Sequence, residues 1–265
     1  MEKMIKFDNG KKEEMDAFLA TPQNEGKNFV LVIQEIWGLT DFIRSVVRRI
    51  TDLGYAAVAP DLYSRKAQKG KFTQEIIMEA MQPFWALSPE KRRDEKEIEK
   101  VMSRLSDNAK EVVSQLMFNR AKLEDQMIAD LKKLVSHMES LGYNGKRGVI
   151  GFCMGGGLAF ELSTQIPIDA SAIYYGANPK NLEALGNIKG TILGIYAGED
   201  SGINDGLPDL MKAVLKHKKE WEMKLYPGTY HAFFNHTGMS YNEPASKDAW
   251  ERTARFFNKI LGGKQ

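Results

Sequence analysis

Apolar residues alternate along the chain between two rhythms. Phe29 to Ile33, Tyr55 to Ala59, Ala170 to Tyr175 and Thr191 to Ala197 are short, nearly uninterrupted apolar runs. Such runs mark strands covered on both faces. Val149-Ile150 ends another strand, and Trp221 to Tyr226 reads as the last one. Between them the spacing becomes helical. Phe42, Val46, Val47 and Ile50 form one apolar stripe, opened by Thr40 as a cap and stopped by Gly54. Leu123, Met127, Leu131, Leu134, Val135, Met138 and Leu141 form a second over residues 122–141. Further helices are expected over Leu158 to Leu162, Leu207 to Lys218 and residues 243–261, the last with Trp250, Ala254, Phe257 and Leu261 inward. Strand, helix and strand in this order predict an α/β fold: a mostly parallel central sheet with helices on both faces.

Two stretches depart from that rhythm. Residues 4–20 read as an antiparallel hairpin, with Asp8-Asn9-Gly10 supplying the turn and Met15 to Leu19 the return strand. Residues 64–120 carry the almost wholly charged run Lys91 to Glu97. Ser88-Pro89-Glu90 is a helix start, and Ile98, Val101, Met102, Leu105 and then Val112, Val113, Leu116, Met117 recur at helical spacing. This predicts an inserted segment of two or three short helices whose charged run is a solvated face. The alternative is a lid, with Phe72, Met78, Met81, Phe84 and Trp85 turned toward a pocket. The whole of residues 1–265 is read as one domain carrying this insert.

Composition narrows the partners. The 37 Lys and Arg nearly cancel the 35 Asp and Glu, so neither a nucleic-acid footprint nor a polybasic membrane patch is present. A single cysteine excludes an internal disulfide and fits a reducing compartment. No run approaches transmembrane length, and a soluble, cytoplasmic, monomeric protein is expected. No H-x-x-E-H, H-E-x-x-H or C-x-x-C spacing occurs, so no metal or other cofactor is expected.

The single cysteine lies in Gly151-Phe152-Cys153-Met154-Gly155, between the strand ending at Ile150 and the helix beginning at Leu158. This is the strand–turn–helix setting of a nucleophile elbow, with cysteine in place of serine. Glycines two residues to either side let the backbones pass closely. The helix N-terminus favours a thiolate and a developing oxyanion. The competing reading is an inert buried cysteine beside a glycine-rich helix start. Residues that follow strand ends collect where open α/β sheets keep their sites. Here these are Glu35, Cys153, Asp200 and His231, and the order nucleophile, acid, histidine is that of the α/β-hydrolase triad. Cys153 would attack an acyl carbon, His231 would shuttle the proton, and Asp200 would orient the imidazole. His236 is the rival base, while His137 and His217 read as surface residues. Glu199 and Asp205 compete with Asp200. The N–H of Met154 is one expected oxyanion donor, with the second from the loop containing Ile36.

These segments together resemble the dienelactone hydrolase (carboxymethylenebutenolidase) family of the α/β-hydrolase fold. The resemblance rests on Gln34-Glu35-Ile36-Trp37-Gly38-Leu39, Ala59-Pro60-Asp61-Leu62-Tyr63, the cysteine elbow, Tyr174-Tyr175-Gly176, Gly198-Glu199-Asp200 and Tyr230-His231-Ala232-Phe233. It implies a cofactor-free hydrolase of ester or lactone bonds working through a Cys153-His231-Asp200 triad and a thioester. It also implies an oxyanion hole at Ile36 and Met154, and a contact from Glu35 to the thiol that helps generate the thiolate. Trp37, Phe152, Tyr175, Phe233 and Asn235 are the expected substrate-binding residues. The family's carboxylate-binding arginines have no counterpart: one position falls in Phe234-Asn235-His236, the other in the insert. A general carboxylesterase or thioesterase with a more apolar pocket is therefore an alternative, as is a non-catalytic scaffold that binds a small molecule.

Overall fold

A computed structural model describes residues 1–23, 26–88 and 90–262. The strands are β1 (Glu2–Asp8), β2 (Glu14–Ala20), β3 (Phe29–Ile33), β4 (Ala56–Pro60), β5 (Arg147–Phe152), β6 (Ala170–Tyr174), β7 (Thr191–Ala197) and β8 (Trp221–Tyr226). They form one sheet in the order β1-β2-β4-β3-β5-β6-β7-β8. The hairpin β1–β2 is antiparallel and β2 meets β4 antiparallel, whereas every pair from β4 to β8 is parallel. The parallel strands align their carboxyl ends, and the candidate chemistry lies at that end.

The helices are α1 (Asp41–Asp52), α2 (Gln74–Trp85), α3 (Glu95–Met102), α4 (Asp107–Val113), α5 (Arg120–Ser140), α6 (Met154–Gln165), α7 (Ser201–Asn204), α8 (Leu207–Lys216) and α9 (Glu243–Phe257). Strand alternation sorts them into two layers. Phe29, Leu31 and Ile33 pack with Leu131, Leu158 and Leu210 of α5, α6 and α8. Val30 and Val32 point the other way, against Val46 of α1 and Phe257 of α9. The expected fold class, with a mostly parallel sheet clothed on both faces, is what is found.

The insert is helical, as its spacing predicts: α2, α3 and α4, then a π-helical turn at Ser114–Phe118 leading into α5. Its apolar residues Phe72, Ile77, Ala80, Phe84, Leu105, Ala109, Val112 and Val113 are buried in the same cluster as α5 and α6. Thr73, Asp94 and Ser106 cap its three helices. Ser88 serves only a short 3-10 turn at Lys91–Arg93, and Pro89 lies outside the described residues.

Several local expectations are corrected. Thr40 occupies the N-cap of α1 but makes no side-chain capping bond. Leu141 lies beyond the end of α5 and is exposed, because Gly142 turns the chain with φ +97. The inner side of α9 is Ala249, Thr253, Phe256 and Phe257. Trp250 instead sits at the helix margin beneath the Arg49 guanidinium, 4.0 Å from its ring. His137 and His217 are half-buried rather than free on the surface.

Candidate active site

Cys153 stands between β5 and α6 with φ 55 and ψ −117. A non-glycine residue in this conformation is strained and persists only where its surroundings fix it. Here the fixing is steric. A Cβ on Gly151 would strike the Gly155 carbonyl, and one on Gly155 would strike the carbonyls of Ile33 and Gln34. The elbow therefore closes only with glycine at both positions, which explains the motif's spacing. Cys153 is half-buried, its N–H bonded to the Tyr174 carbonyl at 3.1 Å.

His231 arrives from the loop after β8 and Asp200 from the end of β7. His231 Nδ1 lies 2.5 Å from Asp200 Oδ2, with the imidazole 36 % exposed and the carboxylate 10 %. Burial acts to lower the His231 pKa. The Asp200 hydrogen bond and the neighbouring Cys153 sulfur outweigh it and push the pKa up to about 10. An imidazolium is thus well supported between a carboxylate and the sulfur. His236, the rival base, is exposed and turns its ring onto Phe42, with centroids 5.9 Å apart.

Glu35 follows β3 and is 1 % exposed. Its carboxylate accepts from Asn235 Nδ2 at 2.7 Å and from the Tyr175 hydroxyl at 3.4 Å. Burial raises its pKa to about 7, against the opposing pull of Asn235, His231 and Tyr175. The side-chain hydrogen bonds of Glu35 among the described residues thus run to Tyr175 and Asn235. Tyr175 itself holds the strained φ of 37, which aims its hydroxyl at this carboxylate.

A cavity of about 300 Å³ opens over these groups. Cys153, Met154 and His231 form its floor, and Glu35, Ile36 and Trp37 one wall. The insert adds Met81, Trp85 and Leu116 to the lining, with Arg120 at the start of α5. Trp37 and Trp85 meet edge to face at 5.6 Å, joining the sheet's loop to the insert. The insert is therefore both core and cavity wall.

Of the expected substrate-binding residues, Trp37 alone lines this cavity; Phe152, Tyr175, Phe233 and Asn235 are corrected. Phe152 ends β5 on the same face as Ile150, buried against Phe42, Tyr174 and Phe234. Phe233 is buried between Tyr175 and Tyr226. Tyr175 and Asn235 hold Glu35 from behind. Two further residues were missed. Arg120 brings a guanidinium to the cavity, paired with Glu124 at 2.7 Å and still half-exposed. Tyr63 is buried, donates to the Ile36 carbonyl at 2.9 Å and lies 4.0 Å from the Met154 sulfur. The motif Ala59-Pro60-Asp61-Leu62-Tyr63 offered a signal for Tyr63; nothing in the sequence marked Arg120. Among the described residues, no group of three or more His, Cys, Asp and Glu is placed to hold a metal ion. No helix among them is long and apolar enough to cross a membrane.

A strained residue between strand and helix, with an acid–histidine pair from the next strand ends, defines an α/β-hydrolase fold. The acylaminoacyl peptidase of Pyrococcus horikoshii shares it, with TM-score 0.67 at 12% identity over 100% of this chain and 42% of that one. So does the dienelactone hydrolase of Anabaena variabilis, with TM-score 0.63 at 16% identity over 98% of each chain. Within that class the chain belongs to the dienelactone hydrolase family, whose profile matches residues 15–261. It is 47% identical over 260 residues to a Saccharolobus solfataricus protein named "Putative carboxymethylenebutenolidase", covering 98% of this chain and 99% of that one.

Proposed function

We propose that this protein hydrolyses ester or lactone bonds through a Cys153 thioester, without a cofactor. The observation that carries the reading is the strained Cys153 at the floor of a mostly apolar cavity, beside an imidazole engaged by Asp200. The Cys153 thiolate attacks the acyl carbon and His231 returns the proton to the departing alcohol. Asp200 keeps Nδ1 occupied, so that Nε2 faces the reacting atoms. Water, activated by His231, then releases the acid. The N–H groups of Met154 and Ile36 receive the oxyanion, and Tyr63 fixes the loop that presents Ile36. Glu35 tunes the site: protonated it leaves room for a thiolate–imidazolium pair, and ionised it opposes the thiolate.

The cavity favours a substrate with an apolar body held between Trp37, Trp85, Met81 and Leu116, and an anionic group reaching Arg120. Arg120 thereby takes the part that the family's missing arginines would play. The test is an intact-mass measurement after mixing enzyme with a slowly turned-over p-nitrophenyl ester. An acyl adduct is expected on the wild type and none on Cys153→Ala, which should also lose turnover of the ester and of a dienelactone. Retained turnover in Cys153→Ala would move the nucleophile elsewhere.

A further inference from the structure

The sheet ends at β8, which has a neighbouring strand on one side only. Two bonds fix which backbone groups are free: the Glu220 carbonyl accepts from Ile192 and the Tyr226 carbonyl from Gly198. Even-numbered residues of β8 therefore turn their peptide groups toward β7. Those of Trp221, Met223 and Leu225 point outward from the last strand of the sheet. Their side chains share one face, where Met223 is 41 % exposed and Leu225 38 %. Trp221 packs onto Phe160 of α6 on that same face. On the other face Glu222 and Lys224 alternate with Tyr226, whose hydroxyl bonds Asp248 of α9.

We propose that β8 pairs antiparallel with β8 of a second copy of this chain, about a two-fold axis at Met223. The charges select both the occupant and the register. A two-fold axis at Glu222 would set Glu222 against itself, and one at Lys224 would set Lys224 against itself; like charges directly opposite are destabilising. The axis at Met223 sets Glu222 opposite Lys224 of the second copy, twice over. It also makes Met223–Met223 and Trp221–Leu225 the hydrogen-bonded pairs, which is what the outward peptide groups of odd-numbered residues require. Glu222–Lys224 then falls in the non-hydrogen-bonded positions, where side chains lie closest. Apolar residues thus meet on one face and opposite charges on the other. The contact is isologous, so it closes at two chains and does not grow into a fibre.

Sedimentation of the full chain across a concentration series tests this. The wild type should run at twice the chain mass. Glu222→Lys and Lys224→Glu should each run as monomers, since each puts like charges opposite one another. The double reversal, Glu222→Lys with Lys224→Glu, should restore the dimer. Far-UV circular dichroism and ester turnover verify that each variant is folded, because β8 runs directly into the loop bearing His231. A monomeric wild type, a dimer indifferent to the single reversals, or a double variant that stays monomeric would each overturn the proposal.

Discussion

The parallel half of the sheet and the insert, from α2 to the start of α5, line one cavity by different means. In the sheet, backbone geometry places each group. Cys153 sits where β5 meets α6, Asp200 just past β7 at the start of α7, and Glu35 just past β3. Moving any of them means moving a strand paired on both sides. In the insert, placement rests on side chains: Met81 and Trp85 on α2, Leu116 in a π-helical turn, and Arg120 in the first turn of α5. Of these, α2 is capped by Thr73 and packs onto α4, while the π-helical turn and the start of α5 have no side-chain cap. Under the proposed function, the sheet keeps the chemistry fixed while the insert sets what is bound. This division of labour predicts which substitutions act on every substrate and which act on some.

The largest effect is expected on the sheet side. His231→Ala should lower kcat/KM for every ester or lactone tested by at least about a thousandfold, since the proposed base and its orienting acid would act as one unit. His236→Ala should stay near wild type, because that ring only covers Phe42. A loss with His236→Ala and none with His231→Ala would exchange their roles. A loss confined to one substrate class would place selectivity on the sheet.

Glu35 gives the next effect, read as stability. Its folded pKa of about 7 lies above its ordinary value of 4.5 because the carboxylate is buried. A raised folded pKa stabilises the fold fully below the unfolded value, and that contribution is lost as pH rises through the folded one. The wild type should therefore lose stability between pH 4.5 and pH 7 relative to Glu35→Gln, which carries no such charge. The gap corresponds to about 3 kcal/mol at most. Glutamine can still accept from Asn235 and donate to the Tyr175 oxygen, so the comparison isolates charge. Urea denaturation of both proteins across that range measures it. A pH-independent difference would mean that the Glu35 carboxylate is solvated when ionised.

The same division explains what the sequence made legible. Strand ends and the glycine-flanked turn are local signals, so the elbow, the acid–histidine order and the loop through Ile36 could be placed from the residues. Phe152 is the last residue of β5, two after Ile150, and alternation within the strand puts both on the face that α1 and α9 cover, away from the cavity. Tyr175 and Asn235 are correctly near the site but behind it, an orientation set by φ angles such as the 37° of Tyr175 that no periodicity encodes. Arg120 was illegible because its position depends on how three helices and a π-helical turn fold back over the sheet. Its neighbours Ala121 and Lys122 carry the same helical pattern with no such role.

Arg120 supplies the insert-side test, with the smallest effect. Its guanidinium is half-exposed and already bonded to Glu124, so an anionic substrate gains a contact that water and Glu124 both compete for. We expect Arg120→Leu to lower kcat/KM about tenfold for p-nitrophenyl hemiglutarate, which carries a free carboxylate, in line with a charge-assisted hydrogen bond. The change should fall mainly in KM. Turnover of the uncharged butyrate ester should hold or rise, because leucine extends the apolar wall of Leu116 and Met81. The diagnostic quantity is the ratio of the two substrates, which is insensitive to any general loss of active enzyme. A ratio unchanged by Arg120→Leu would remove the anion from the substrate and leave the insert as an apolar wall only. A parallel fall for both esters would be the sharper failure, since it would put an insert residue into the chemistry that the sheet is argued to hold by itself.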